Sequence, residues 1–391
     1  MCVGTSKHAK MLPGTSPFPP LSPERIAAAH KKYGHAVDQY LEHLRLGDPL
    51  ADDLMACFSR ITYRKGFQLL HQAIEHGIHS IEDPPPELVA LFKQLDYVPF
   101  WVNWERMHLA SAKILRNGWL PALSLAVYAL PHAFLATGNK PLVSSGSLIY
   151  STVERYALSA RFITEIFVPG NLRRDAEGFK LAVLVRMMHA QARRQILRSG
   201  KWNPDSLELP LNHAHMAMGL IFFSYFVIQG MRRLGSRVTQ EEMSSILLTW
   251  RYVGHIFGIN PEMVQTSEEE IRQLINVAFS LEWEPDEHSK LLCRSLIEAA
   301  PSFTNIRNAH VARWFIKLLY AMSRNMLGDQ LADQLGYPKA KHRLLCRTWI
   351  TLAWLFERFP TLVPARLRQA VGIQFWLERG SYDMDRYGKL D

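Results

Sequence analysis

The chain has 391 residues, of which 48% are hydrophobic and 21% are charged, and its formal net charge is +9. This composition supports a sizeable buried core and excludes a wholly disordered chain. The basic residues are scattered in short groups without a long Lys/Arg block or a known nucleic-acid-binding motif, which argues against a nucleic-acid partner.

Helical patterning extends over nearly the whole chain. Residues 1–22, rich in Pro, Ser and Gly, are predicted to form a flexible arm; after them apolar residues recur with a helical period, and strand signals are nearly absent. One predicted helix begins at Pro23, after the cap Ser22, and another begins at residue 266. The other predicted helices cover 48–60, 63–76, 86–95, 103–116, 120–136, 147–167, 175–198, 212–234, 242–257, 289–298, 309–326, 341–358 and 365–378. We therefore predict an all-α fold, with a single multi-helix domain over residues 23–380 and a C-terminal tail over 381–391.

Cysteine usage and hydropathy bear on the location of the chain. The four cysteines (Cys2, Cys57, Cys293 and Cys346) are far apart and form no CxxC pair, which argues against a disulfide framework and a structural zinc site. Residues 1–20 lack the apolar core of a signal peptide, so a cytoplasmic location is predicted. The apolar segments 120–136 and 216–228 are interpreted as buried helices rather than membrane spans, which need about 20 residues. Peripheral contact with a membrane is left open.

The most informative segment is 185–194, because it places one histidine between two arginines. Arg186 precedes His189 by three residues and Arg193 follows it by four, so all three share one side of a helix otherwise built from Leu, Val, Met and Ala. Buried charges need partners. Haem would satisfy all three residues, since its iron binds imidazole and its propionates pair with guanidinium groups. A core histidine that is hydrogen-bonded to a backbone carbonyl is the alternative.

Other histidine patterns give weaker evidence for a metal site. Glu105 and His108 form one ExxH pair, whereas a di-iron carboxylate bundle needs two, so an exposed helix start is the preferred interpretation. His213 and His215 are two residues apart and should point to different sides of a helix.

Six short segments occur in the order found in a known enzyme family. They are Gly-Asp-Pro-Leu-Ala-Asp at 47–52, Pro-Phe-Trp-Val-Asn-Trp at 99–104, Val-Arg-Met-Met-His-Ala with Arg193 at 185–193, Arg-Arg-Leu-Gly at 232–235 followed by two glutamates, Trp-Arg-Tyr-Val-Gly-His-Ile-Phe-Gly-Ile at 250–259, and Arg324 with the Leu-Gly and Leu-Ala pairs up to 332. Together they resemble the haem-b oxygenase family of latex-clearing protein (rubber oxygenase) and MpaB-type oxygenases. The chain departs from the usual Pro-x-Trp-Val-Asp at Asn103.

The resemblance implies a globin-like helical core that encloses a buried, non-covalently held haem b. It implies that His189 is the proximal iron ligand and that Arg186, Arg193 and, more loosely, Arg324 bind the cofactor, with O2 as co-substrate. The arginines are expected to pair with the propionates in a low dielectric, where a bidentate guanidinium contact is strong.

The helix expected on the opposite side of the haem departs from the rubber-cleaving branch. That branch carries an Arg, then a Lys and a Thr three and four residues later, and here the matching residues are Arg155, Leu158 and Ser159. Arg155 and Ser159 are the expected catalytic pair. Leucine cannot ligate iron, so we expect a five-coordinate or water-bound iron at rest and a more apolar pocket. The alternative is that Arg155 forms a surface ion pair and Ser159 is an ordinary small residue.

The expected function is a haem-b-dependent oxygenase that uses O2 to oxidise, and possibly to cleave, a carbon–carbon double bond in a lipophilic, prenyl-type small molecule. A haem-binding sensor or carrier without turnover is the alternative from another class. A third alternative, a helical interaction protein that has lost haem, is disfavoured by the retention of Arg186, His189 and Arg193 together. The sequence indicates no oligomeric state.

Overall fold

The computed structural model describes residues 21–116, 119–136, 152–200, 202, 208–304, 306–339 and 351. Within these ranges the chain is helical, apart from its connecting segments and an isolated antiparallel bridge between Ala136 and Trp283. The predicted all-α fold is therefore confirmed. The predicted helix at 341–358, apart from residue 351, the predicted helix at 365–378, residues 1–20 of the predicted arm, Cys2 and Cys346 lie outside the described residues.

The first half of the described chain forms nine α-helices. They are α1 (Pro23–Tyr33), α2 (His35–His43), α3 (Pro49–Ile61), α4 (Tyr63–His76), α5 (Pro86–Leu95), α6 (Trp104–Arg116), α7 (Trp119–Ser124), α8 (Leu130–Ala133) and α9 (Thr152–Phe167). A π-helical segment, Leu125–Ala129, joins α7 to α8. The short α2 was not predicted.

The second half adds eight α-helices. They are α10 (Glu177–Arg198), α11 (His213–Ile221), α12 (Val227–Arg233), α13 (Gln240–Ile256), α14 (Glu268–Glu282), α15 (Glu287–Phe303), α16 (Ala309–Leu327) and α17 (Asp329–Gln334). A second π-helical segment, Phe222–Phe226, joins α11 to α12. Helix α15 runs through Pro301, beyond its predicted end, and α17 was not predicted.

Capping residues explain where several helices begin. The Asp48 carboxylate accepts a hydrogen bond from the Ala51 N–H and is followed by proline, so it starts α3. Thr239 starts α13 through a reciprocal capping box with Glu242, as the sequence predicts, and Ser267 starts α14 in the same way with Glu270. These caps fix the N-termini of helices that surround the candidate site.

The two π-helical segments pack against each other inside the core. Hydroxyl groups from facing helices donate to carbonyls in and beside them: Ser323 Oγ to Val127 O at 2.7 Å and Ser124 Oγ to Val227 O at 2.6 Å. A widened turn disturbs the regular ladder of backbone hydrogen bonds, and these hydroxyls supply buried donors there.

The apolar helices lie in the protein core. The continuous helical segment His213–Arg233 is long and apolar enough to cross a membrane, since its most apolar 18 residues have a mean hydropathy of 1.4. However, 67% of these 18 residues are buried inside the protein. This burial is expected of a core helix.

Cys57 and Cys293 are buried and unpaired, and the cytoplasmic location stays a prediction.

Candidate functional site

His189 lies on α10 with a buried ring nitrogen that has no partner in the part of the chain that the structure describes. Its Nδ1 is inaccessible and makes no hydrogen bond with any described residue. The edge of the ring faces Phe257, with the ring centroids 5.7 Å apart at an interplanar angle of 83°. A buried polar atom left unpaired costs about 1–3 kcal/mol. The structure therefore gives no support to a histidine held by a backbone carbonyl, and leaves an imidazole that can serve a bound group.

The surroundings of His189 favour its neutral form. Burial, with a smaller contribution from the nearby Arg193, lowers the pKa of His189 from 6.5 to about 4, against the opposite effect of Asp48. Neutral imidazole is the form that ligates a metal ion. At neutral pH the imidazole of His189 is therefore in the form that can ligate iron, the role predicted for it from the sequence.

Arg186 has partners other than the predicted propionate. Its Nε and Nη2 donate to Oδ2 and Oδ1 of Asp48 at 2.6 and 2.9 Å, and its Nη1 donates to Gln94 Oε1 at 2.5 Å and to the carbonyl of Ile256 at 3.0 Å. The side chain is only 2% exposed. Through these contacts Arg186 ties α10 to α3, α5 and α13, which gives it an anchoring role that the sequence did not predict, and its role toward a propionate stays a prediction.

Gly258 provides the space for this ion pair. It has a φ of +69°, and a Cβ atom on it would lie 2.3 Å from Nη2 of Arg186. Glycine tolerates both the left-handed backbone and the close approach. Three of the sequence segments, around Asp48, Arg186 and Gly258, therefore meet at one buried contact. Sequence reasoning had selected the segments but not this contact.

Arg193 keeps one edge of its guanidinium free. Its Nε lies 3.2 Å from Asp52 Oδ2, and its Nη1 donates to the carbonyl of Leu211 at 3.0 Å. Leu211 has a φ of +54°, which is rare for a residue with a side chain. No described residue accepts a hydrogen bond from Nη2. Of the three predicted cofactor-binding arginines, Arg193 keeps the most donors unused by the described residues, including both N–H groups of Nη2.

Arg324 serves a different part of the fold. Its Nη1 and Nη2 bind Asp329 Oδ1 at 3.1 Å and Asp333 Oδ1 at 2.5 Å, and the guanidinium also donates to the carbonyls of Tyr337 and Pro338. These partners all lie in or just after α17. Arg324 therefore fixes the corner after α16, and its role in cofactor binding stays a prediction.

The predicted catalytic pair lies on α9, which packs against α10. The side chains of Arg155 and Leu158 lie outside the described residues, and Ser159 is partly buried. Phe162, three residues after Ser159, stacks on Phe257 at 5.7 Å between centroids and an interplanar angle of 21°. Because Phe257 also contacts His189, α9 is brought beside the histidine.

A second polar cluster was missed from the sequence. Ligand atoms of Glu208, His215 and Glu282 lie within 4.8 Å of one another, and His215 Nε2 is 2.5 Å from Glu282 Oε1. His213 points elsewhere and contacts the carbonyl of Gly47, so the predicted divergence of the two histidines is confirmed.

The polar cluster is poorly suited to a metal. A metal-bound histidine usually donates its other ring N–H to an acceptor. Here the other nitrogen of His215 faces Nδ2 of Asn212 at 3.1 Å, and that amide is oriented by bonds to the His215 backbone N–H and the Leu209 carbonyl, so the His215 nitrogen accepts rather than donates.

The ExxH pair, Glu105 and His108, is exposed, as predicted.

Comparison with known proteins gives the family. The family model described as "ER-bound oxygenase mpaB/B'/Rubber oxygenase, catalytic domain" matches residues 105–359, which is more than half of the chain. The solved structure of latex clearing protein LCP in the closed state is similar in fold, with a TM-score of 0.63 and 18% sequence identity, over 87% of this chain and 91% of that chain. No curated protein matches. The chain belongs to the mpaB and rubber oxygenase family and is an oxygenase.

Proposed function

We propose that the protein is a haem-b-dependent oxygenase that uses O2 to oxidise a carbon–carbon double bond in a lipophilic, prenyl-type small molecule. Membership of the oxygenase family supports the reaction class. The observation that carries the haem assignment is the buried, unpartnered Nδ1 of His189 in the middle of an apolar face.

The residues present fit a haem in part. His189 is the proposed iron ligand, and Arg193, with free donors at Nη2, is the proposed partner of a propionate. Arg186 acts indirectly, because its bidentate contact with Asp48 fixes the turn of α10 that carries His189. When bound, the haem supplies an iron centre at which dioxygen is activated.

The chain supplies the surroundings of that centre. Phe257 and Phe162, which are 8% and 7% exposed, shield His189 from water on the side facing α9. Arg155 and Ser159 are the proposed hydrogen-bond donors to the dioxygen, and Leu158 is proposed to keep this side of the pocket apolar.

A small apolar cavity adjoins the aromatic cluster next to His189. It has a volume of about 20 Å³ and lies beside α11 and α13, lined mainly by aliphatic side chains, with Trp250 as an aromatic wall. Trp250 packs edge to face with Phe162, with the centroids 6.4 Å apart, which places the cavity beside the cluster. A volume of this size holds about one water molecule, so the proposed substrate class rests on the oxygenase family and on the apolar character of the surroundings.

An absorption spectrum of the purified, haem-supplemented protein tests the proposal. The wild type should show a Soret band that His189→Ala loses or shifts. His132→Ala is the matched control, because His132 is also a buried histidine but its Nδ1 bonds the Tyr128 carbonyl at 2.8 Å. Oxygen consumption by the ferrous protein with lipophilic alkenes then separates an oxygenase from a haem sensor or carrier. A wild type that takes up no haem would overturn the proposal.

A further inference from the structure

The turn between α5 and α6 exposes an unusual set of apolar side chains. Phe100 is 94% exposed, Tyr97 is 59% exposed and Val98 is 45% exposed. Residues 97–103 include no charged side chain. Single exposed apolar residues are common, but adjacent ones at the tip of one turn mark an interaction site.

The turn is rigid, so the exposure of Phe100 does not result from a loose loop. The Val102 N–H donates to the Pro99 carbonyl at 3.0 Å, which closes a turn with Phe100 at its tip. Trp101 and Trp104 pack edge to face on Tyr252 of α13, at 6.4 and 5.3 Å between centroids. The fold therefore presents the Phe100 ring to solvent.

Cationic groups border the turn. The guanidinium of Arg251 lies 4.1 Å from the ring centroid of Trp101, and that of Arg173 lies 4.9 Å from that of Trp104. Neither arginine forms a salt bridge with a residue that the structure describes, although the Glu270 carboxylate acts electrostatically on Arg251. The nearby Asp96 is already paired with Arg174 at 2.6 Å. Two cations without a close carboxylate partner therefore lie at the border of the turn.

We propose that this docking turn, residues 97–101 with Arg173 and Arg251, binds the surface of an anionic phospholipid bilayer and inserts Phe100 between the headgroups. Aromatic side chains favour the membrane–water interface, and neighbouring cations are attracted to anionic lipid. A second copy of the chain fits less well, because a stable protein interface takes about 20–30 residues on each side and this turn offers three strongly exposed apolar side chains.

The docking turn also gives the substrate a source, namely the bilayer. This step alone rests on the proposed function; the membrane binding itself does not. Arg251, which contacts Trp101, also lines the apolar cavity beside Trp250. A bilayer held against the turn would therefore lie on the side of the protein that carries the cavity and Trp250, and a lipophilic molecule dissolved in it could reach this side without crossing bulk water.

Co-sedimentation of the full-length protein with lipid vesicles tests the docking turn. Vesicles of equal parts phosphatidylcholine and phosphatidylserine should bind the wild type, pure phosphatidylcholine should bind it less, and added salt should weaken binding. Phe100→Ser should lower the affinity by about tenfold or more, and Arg173→Gln should lower it for anionic vesicles only. Since Phe100 is 94% exposed, Phe100→Ser should unfold at the same temperature as the wild type.

The matched controls lie on α16, where Trp314 is 54% exposed next to the exposed Arg313. Trp314→Ser and Arg313→Gln should bind vesicles like the wild type. His189→Ala should also bind vesicles, which separates a failure of docking from a failure of the haem proposal. Equal binding by Phe100→Ser and the wild type, or no binding by the wild type, would overturn the docking turn. A dimer that Phe100→Ser dissociates in the absence of lipid would reassign the turn to a second copy.

Discussion

Arg186 and Asp48 form a bidentate ion pair, with two hydrogen bonds of 2.6 and 2.9 Å, in a place where Arg186 is 2% exposed. The pair joins residues that are 138 positions apart and fixes α10 one turn before His189. A buried charge whose partner is removed is strongly destabilising, because the remaining charge has lost its compensation. The stability of the fold and the position of the candidate iron ligand therefore depend on one contact.

Removing the charge of Asp48 should destabilise the protein strongly. Asp48→Asn keeps an oxygen that can cap α3 but leaves the guanidinium uncompensated, so we expect a loss of about 3–5 kcal/mol in the free energy of unfolding. Urea denaturation measures this loss. Glu87→Gln is the control, because Glu87 pairs with Arg60, which is 62% exposed, and the loss there should stay below about 1 kcal/mol. Equal losses in the two variants would contradict the assigned role.

A methyl group at Gly258 should displace Arg186. In Gly258→Ala the new Cβ would lie 2.3 Å from Nη2, and the residue would also keep a φ of +69°. Gly170→Ala is the control, since its φ is +83° but no atom lies within 4 Å of the added Cβ. We expect Gly170→Ala to lose about 1–2 kcal/mol from backbone strain and Gly258→Ala to lose about 1–3 kcal/mol more. Thermal unfolding of both variants compares them, and similar losses would count against the close contact.

Arg193 and Arg324 should differ in their effects on haem. Arg193→Gln removes the guanidinium that retains free donors, so haem affinity should fall by about tenfold, the worth of one charged hydrogen bond. Arg324→Gln breaks contacts with Asp329 and Asp333 and should lower stability, with haem affinity unchanged in the folded protein. Haem titration monitored at the Soret band, beside a denaturation curve, separates the two effects. The reverse pattern would assign the cofactor contact to Arg324 rather than to Arg193.

Acidification should weaken the haem-free protein through two buried histidines. Burial lowers the pKa of both His132 and His189 from 6.5 to about 4. Between these values the unfolded chain takes up protons that the folded chain does not, so the free energy of unfolding falls as the pH falls. The slope should approach about 1.4 kcal/mol per pH unit for each histidine.

Urea denaturation across this pH window measures the slope. His132→Gln should remove about half of the contribution from the two histidines, because only His189 would still titrate between the two values. A pH dependence in His132→Gln as steep as in the wild type would show that His132 does not contribute.

Local signals predicted the helices well, and distant contacts explain what they missed. Helices α4 and α5 have the predicted bounds because Gly77 ends one and Pro86 begins the other. The helical period also placed Arg186, His189 and Arg193 on one side of α10. It could not reveal that Asp48 satisfies Arg186, because periodicity describes a face and does not identify its distant partner. The contacts of Arg186 and Arg324 with aspartates could not be predicted for this reason, and their roles toward a propionate stay predictions.

The two facing π-helical segments, Leu125–Ala129 and Phe222–Phe226, also have a consequence for changes in chain length. A π segment holds one residue more than an ordinary helical turn, so deleting one residue from it restores an α-helical turn and leaves the helix beyond it in nearly the same orientation. After such a deletion in the second segment, Arg232 should keep its contact with Glu268, to which it is bonded at 3.1 Å. Single-residue deletions should therefore be tolerated better here than in the flanking α-helical turns, where the loss of one residue rotates the helix beyond it by about 100°.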